Sequence, residues 1–170
     1  MKISKRQTTA ICIVLVLAIV YLPLLAMRCW HFAHSTTRLV GRYQISIPAS
    51  FVAVDATDGL KILRLKVKWR PKLYAMDQVV FRSGVGNVDL PRWADRGLKA
   101  AKDSGYADAK EYTLPFGETT VACIQRNQKE EYVPVAVFCR TSDGMTVEYS
   151  GDTSGAAELS GLFGRVRESQ

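Results

Sequence analysis

The sequence predicts an α+β domain with a mostly antiparallel sheet and two helices packed on one face, preceded by one transmembrane helix. Three observations predict this architecture. The first thirty residues contain a long apolar run, several later segments alternate apolar and polar residues, and two segments have the apolar spacing of helices. The order of strands, helix, strands and helix, with hairpin-length connections, favours antiparallel pairing.

A membrane anchor is predicted near the N-terminus. Residues 10–27 form 18 consecutive positions without a charged side chain, and as a helix they would extend roughly 27 Å, close to the hydrocarbon thickness of a bilayer. Lys2, Lys5 and Arg6 precede this run, which favours a cytoplasmic N-terminus. We therefore expect a single-pass protein of the bacterial inner membrane with its C-terminal domain in the periplasm. The predicted parts are a cytoplasmic tip and anchor at 1–28, a juxtamembrane linker at 29–40 and a periplasmic α+β domain at 41–170.

A cleaved signal peptide is the alternative for the same segment. The apolar stretch of a signal peptide usually has roughly 7–15 residues and ends in a small-x-small site, whereas Ala26-Met27-Arg28 contains a bulky residue and then a charge. Cys29 would fit a lipoprotein, but the same three residues lack the small side chains that such a site needs. The uncleaved anchor is therefore favoured, and both alternatives export the domain.

The basic charge of the chain is concentrated around the anchor. The formal net charge is +7, but six of the 23 Lys and Arg residues lie before residue 43, and the remainder of the chain has 17 of them against 16 Asp and Glu. A basic chain can indicate nucleic-acid binding. Here membrane topology explains the excess, so no nucleic-acid partner is expected.

Alternating patterns predict the first strands of the domain. Residues 41–48 alternate polar and apolar side chains and end at Pro48, as in a half-buried strand. The clearest strand is ILRLKVKWRP, residues 62–71, in which Leu63, Leu65, Val67 and Trp69 alternate with four cations. We expect the apolar face to belong to the core and the other face to carry the cations.

The cationic strand is the candidate partner-binding surface. It has three interpretations: a charged edge that protects the sheet against aggregation, a contact with anionic lipid headgroups, and a surface complementary to an acidic protein partner. Trp69 and Tyr74 would be good interface anchors, although Trp69 also fits the core alternation. The candidate partner-binding residues are Lys61, Arg64, Lys66, Lys68, Arg70, Lys72 and Tyr74.

The later elements follow from turn and capping signals. A further strand is predicted at 76–82, and Pro91 and Gly105 bound a predicted helix over 91–104. The remaining predicted elements are strands at about 119–126, 133–141 and 145–150 and a closing helix at 153–166.

Cys123 and Cys139 are the one cysteine pair within the domain. In an oxidising compartment they could form a disulfide, and the alternative is a pair of buried free thiols. Strand register decides between the two. A hairpin centred on Glu131 brings the cysteines face to face, whereas a tight turn at 127–130 does not. The disulfide is the favoured alternative.

The predicted domain lacks the residues of the common catalytic sites. Both histidines, His31 and His34, lie beside the predicted anchor, so a Ser-His-Asp or Cys-His nucleophile within the domain is excluded. Cys29 and the two histidines are better explained as residues of a membrane interface than as metal ligands, because no further ligands cluster with them. The sequence has no phosphate loop and no dinucleotide fingerprint. We expect no enzyme activity, no metal and no cofactor.

The segment VGRYQISIPA, residues 40–49, resembles the opening of a family of periplasmic immunity proteins that neutralise phospholipase effectors of type VI secretion systems. The family's domain typically begins with Gly-Arg-aromatic, an alternating strand and a proline, shortly after an export signal. The same opening is similar to the photosystem-extrinsic-protein-like α+β fold. The resemblance implies a toxin inhibitor whose partner is a secreted lipase-type effector.

These observations together predict a membrane-anchored periplasmic binding protein, specifically an immunity protein that binds a toxin or effector with an acidic surface. Tethering would raise its local concentration at the membrane, where a lipase acts. The alternative is an accessory or structural subunit of a cell-envelope or secretion complex, in which the anchor itself makes contacts.

Overall fold

A computed structural model describes residues 5–67, 74–84, 86–127, 135–151 and 155–169. Three helices and ten strands form within these ranges. In chain order they are α1 (Lys5–Ala33), β1 (Thr37–Val40), β2 (Tyr43–Ser46), β3 (Val52–Ala56), β4 (Gly59–Val67), β5 (Tyr74–Arg82), α2 (Leu90–Asp103), β6 (Lys110–Phe116), β7 (Thr119–Asn127), β8 (Val135–Thr141), β9 (Thr146–Gly151), α3 (Gly155–Phe163) and β10 (Val166–Glu168).

Two antiparallel sheets build the domain. The larger sheet has seven strands in the order β3-β4-β5-β9-β8-β7-β6, and the smaller has three in the order β1-β2-β10. Each pair of neighbouring strands is antiparallel. The predicted α+β class with a mostly antiparallel sheet is confirmed.

The predicted placement of both domain helices on one face of the sheet is not confirmed. Helix α2 lies against Ile124 of β7, so closely that a Cβ atom on Gly97 would stand 2.3 Å from the Cδ1 atom of Ile124. Helix α3 contributes Leu159 and Phe163 to the core cluster that includes Cys123. Because Cys123 and Ile124 are consecutive in one strand, their side chains point to opposite faces. Helices α2 and α3 therefore cover opposite faces.

Helix α1 has 29 residues, with a mean hydropathy of 2.9 in its most apolar window, and is long and apolar enough to span a membrane. It also continues beyond the predicted anchor. Trp30 packs against the domain core, and the Nε2 atom of His31 lies 2.5 Å from the carbonyl oxygen of Phe51. The predicted linker at 29–40 thus contains the last turn of α1 and, from Thr37, strand β1.

A disulfide joins Cys123 of β7 to Cys139 of β8, as predicted. The two residues are direct partners in the antiparallel register, with Cα atoms 4.0 Å apart. The other two cysteines, Cys12 and Cys29, are free and exposed.

Two elements after α2 also differ from the prediction. Strand β6 was not predicted, although it pairs with β7 along its whole length. The closing helix is shorter than predicted and ends at Phe163, so that Val166 begins β10 and pairs with Ile45 of β2. Val166 is buried in strand β10, as it would be on the inner face of a helix. The apolar pattern alone therefore could not separate a helix from a strand here.

Candidate binding sites on the domain

The cationic strand β4 faces the opposite way from the prediction. Leu60 and Ile62 are buried in the core, and Arg64 and Lys66 follow them at alternate positions, hence on the same side of the sheet. The guanidinium of Arg64 lies 4.8 Å from the ring centroid of the buried Phe51. The cations therefore extend the core face, and the prediction that they form a separate solvated face is wrong.

A buried carboxylate receives these two cations. Asp77 is fully buried and stands directly opposite Arg64 in the register of β4 and β5. Its Oδ2 atom lies 2.5 Å from the Nη2 atom of Arg64 and 2.8 Å from the Nζ atom of Lys66. The Tyr149 hydroxyl, from β9, donates to the Oδ1 atom of Asp77 at 3.4 Å. Glu158 of α3 accepts from the Nη1 atom of Arg64 at 2.9 Å. We call these five residues the ion-pair cluster.

The surroundings of Arg64 in the ion-pair cluster favour its charged form. Burial lowers the pKa of Arg64, but hydrogen bonds and the negative charges of Glu158 and Asp77 outweigh burial and leave that pKa raised. Burial, followed by the charge of Asp77, also raises the pKa of Tyr149. Arg64 and Lys66 are thus engaged within the fold.

The other predicted binding residues are placed differently. Lys61 lies on the face of β4 opposite Arg64 and is half-buried. Tyr74 begins β5 as the backbone partner of Val67. Three further predicted residues, Lys68, Arg70 and Lys72, lie outside the described residues. The structure therefore does not bring the predicted set together as one exposed stripe over its described part.

A second group of cations, which the sequence reasoning missed, lines a cleft between α2 and the strands β7 and β8. The cleft has a volume of about 890 Å³. Arg92 and Arg96 reach it from exposed positions on α2, and Arg126 and Arg140 reach it from β7 and β8. We call it the arginine cleft.

Each of the two arginines that reach this cleft from the strands has one buried nitrogen atom without a hydrogen-bond partner. The Nε atoms of Arg126 and Arg140 are both buried and unpaired, and they are the two side-chain atoms of this kind among the described residues. The guanidinium of Arg126 is held between two rings, 4.7 Å from the centroid of Tyr106 and 4.9 Å from that of Phe138. Neither arginine forms a salt bridge within the described part of the chain.

Asp89 is the acidic residue in the lining of the arginine cleft, and its carboxylate already has a role. Its Oδ1 atom accepts from the backbone N–H of Arg92 at 3.1 Å, which caps the N-terminus of α2. Among its described lining residues, the cleft thus combines four guanidinium groups with one carboxylate. Arg126 and Arg140 stand two and sixteen residues beyond Ile124 along the chain, so no short sequence motif links them, and only the strand register brings them to one face.

A second cavity, of about 750 Å³, separates α1 from the domain. It is lined by residues between Ala18 and Arg28 of α1 and by Arg64 and Leu65 of β4, among others. Strand β4 therefore runs beside the apolar part of α1. Among the described residues, no group of three or more His, Cys, Asp or Glu side chains is arranged to hold a metal ion.

Comparison with known proteins gives no relative. No family model, no curated protein and no solved structure matches the chain.

Proposed function

We propose that this chain is a single-pass inner-membrane protein whose C-terminal domain lies in the periplasm and acts by binding a protein partner. The observation that carries the proposal is helix α1, which is long and apolar enough to cross a membrane and continues into contacts with the domain core. The Cys123–Cys139 disulfide supports an oxidising compartment, because structural disulfides are rare in the cytosol.

Within this class, we propose an immunity protein that binds and neutralises a secreted antibacterial effector of the lipase type. The resemblance of residues 40–49 supports this choice, and so does the position of the domain beside the anchor. Binding by Trp30 and His31 to the core and to Phe51 would hold the inhibitor at the membrane surface, where a lipase works. An inhibitor requires a rigid scaffold and a complementary surface but no nucleophile.

The proposed contact surface consists of Lys61 and of three predicted cations that lie outside the described residues, Lys68, Arg70 and Lys72. Charge complementarity at such a surface would steer an acidic effector and suppress wrong partners. Arg64 and Lys66 are no longer proposed as direct contacts, since their charges are paired with Asp77 and Glu158.

The test of the function is a protection assay in bacteria. The product of the neighbouring gene is exported to the periplasm of cells that produce the full chain, and survival is measured. We expect protection by the full chain and by a form in which residues 1–28 are replaced by a cleavable signal, and loss of protection when residues 1–28 are deleted. Absence of protection in every form would contradict an immunity function against that product.

The same assay separates the proposal from a structural subunit of an envelope complex. If the anchor makes the essential contacts, the form with the cleavable signal would fail although it is exported. Charge reversal by Lys68→Glu with Lys72→Glu should weaken protection, whereas the matched reversal Lys99→Glu with Lys102→Glu, at exposed positions of α2, should not. Equal effects of the two pairs would contradict the proposed contact surface.

A further inference from the structure

We propose that the arginine cleft binds a small oxyanion ligand, carrying phosphate or carboxylate groups with at least two negative charges. This site goes beyond the proposed contact with a protein partner. Helix α1 contacts β3 and β4, whereas α2 covers β7 and β6 at the other edge of the seven-stranded sheet. Lys61, the one described residue of the proposed contact surface, does not line the cleft.

The first argument is the state of the two strand arginines. A buried donor without a partner is costly to the folded protein, and a charged one more so. The Nε atoms of Arg126 and Arg140 are in this state, and both border the same cleft. An oxyanion within the cleft would bring acceptors to these two guanidinium groups, which match phosphate and carboxylate geometry through two parallel hydrogen bonds.

The second argument is preorganisation. Arg126 is fixed between the rings of Tyr106 and Phe138, so less side-chain freedom would be lost when it binds a ligand. Arg140 follows directly on Cys139, whose disulfide fastens β8 to β7. The guanidinium groups on the floor of the cleft thus project from strands that cannot slide past each other.

The third argument is the composition of the cleft. Arg92 and Arg96 lie one helical turn apart on the side of α2 that borders the cleft, and they add two charges to those of the floor. Trp93, Ile124 and Phe138 supply apolar lining. Its volume of about 890 Å³ falls within the range of small-molecule sites, which are mostly apolar with a few converging polar groups.

The half-buried position of the two strand arginines favours a small ligand over an acidic segment of a protein, because a ligand group must enter the cleft to reach their guanidinium groups. A surface loop of a partner would meet first the exposed Arg92 and Arg96. Multiple negative charges are expected because four guanidinium groups face one carboxylate, and that carboxylate is used in the cap of α2.

The experiment is isothermal titration calorimetry of the full chain in an uncharged detergent, in phosphate-free buffer of low ionic strength. The probes are inorganic pyrophosphate, citrate, acetate and a hexaglutamate peptide. We expect saturable one-to-one binding of pyrophosphate or citrate and no saturable binding of acetate. Higher salt should weaken the binding, because charge attraction is screened.

Variants locate the binding. Arg126→Gln and Arg140→Gln should each weaken binding about tenfold or more, because each removes a charge-assisted contact. Arg165→Gln is the matched control, since Arg165 is exposed and does not line the cleft; it changes the net charge equally and should leave binding unchanged. If a strand variant does not fold, as seen by circular dichroism, Arg92→Gln with Arg96→Gln tests the same site from exposed positions of α2.

Three outcomes would overturn the proposal. One is the absence of saturable binding of both pyrophosphate and citrate. Another is an equal loss of affinity in Arg165→Gln and in the cleft variants, which would show a non-specific charge effect. The third is tighter binding of hexaglutamate than of either small anion, which would assign the cleft to an acidic segment of a protein.

Discussion

The ion-pair cluster and the arginine cleft hold similar cations on one sheet in opposite states. In the ion-pair cluster, Arg64 is bonded to two carboxylates and its side chain is 13% exposed. In the arginine cleft, Arg126 and Arg140 are half-buried and have no carboxylate partner within the described residues. The first arrangement uses charge to join strand to helix, whereas the second leaves charge available to a ligand.

Strand register produces this difference. The residue directly opposite Arg64 is Asp77, whereas Arg126 faces Ala136 and Arg140 faces Ala122 on one side and Thr146 on the other. Opposite charges on directly facing residues stabilise a sheet, while alanine and threonine offer no opposite charge. Arginine therefore has a structural role in β4, whereas the arginines of β7 and β8 have no charged partner among the described residues.

The largest expected effect is the loss of the buried carboxylate. Asp77→Asn leaves Arg64 and Lys66 facing a neutral group at a fully buried position, and breaking a buried ion pair typically costs about 3–5 kcal/mol. We expect a loss near the lower end, because Glu158 remains. The measurement is guanidinium chloride unfolding of the full chain in detergent. Glu158→Gln is the control and should cost less, since the Glu158 side chain is 30% exposed; the reverse order would show that Asp77 is not the main anion of the ion-pair cluster.

Removal of the disulfide tests the rigidity of the arginine cleft. Cys123→Ala with Cys139→Ala should lower the free energy of unfolding by about 3 kcal/mol, as for a closed loop of roughly 15 residues. The same variant should weaken anion binding, since β7 and β8 carry the floor arginines. Cys12→Ser with Cys29→Ser, which alters the two free cysteines, should change neither quantity. Unchanged anion affinity in the first variant would show that the disulfide does not contribute to anion binding in the cleft.

One substitution made in both regions gives the most direct comparison. Arg64→Gln should cost about 2 kcal/mol, because it leaves Asp77 short of a charged partner. Arg140→Gln should change the stability of the ligand-free protein by less than about 1 kcal/mol, or increase it, because it removes a buried donor that had no partner. Both are measured by denaturant unfolding without added anions. Equal losses would show that the Arg140 charge is also paired.

The sequence predicted the strands better than the faces on which their side chains lie. Alternation in β4 was correctly recognised, but apolar residues occur at both parities, Leu60 and Ile62 as well as Leu63 and Leu65. The core face was therefore assigned wrongly. The deciding fact was Asp77, thirteen residues away, whose carboxylate makes a buried position acceptable for Arg64.

The arginine cleft was beyond the reach of sequence patterns for a related reason. Its members come from three separate elements, and each appears singly as an ordinary surface cation. The start of helix α2 was predicted to within one residue. The face of the sheet that it covers could not be predicted, because both faces of β7 are apolar over residues 121–124. The disulfide could be predicted, because one of the two possible hairpin registers brings Cys123 and Cys139 face to face and the other does not.

The smallest expected effect distinguishes the half-buried Tyr112 from the buried Tyr149 by the charge around them. Burial raises the pKa of Tyr112 to about 12, whereas Tyr149 is raised by burial and also by the adjacent Asp77. Unfolded tyrosine titrates near pH 10. Below pH 10 both states are protonated and the full stability is present; between pH 10 and about 12 the unfolded chain alone loses the Tyr112 proton, so stability falls as pH rises.

Tyr112→Phe should reduce this decline, and Tyr149→Phe should reduce it more, as measured by unfolding at several pH values with tyrosinate absorbance at 295 nm. A larger effect of Tyr112→Phe would mean that the carboxylate of the ion-pair cluster does not act on Tyr149.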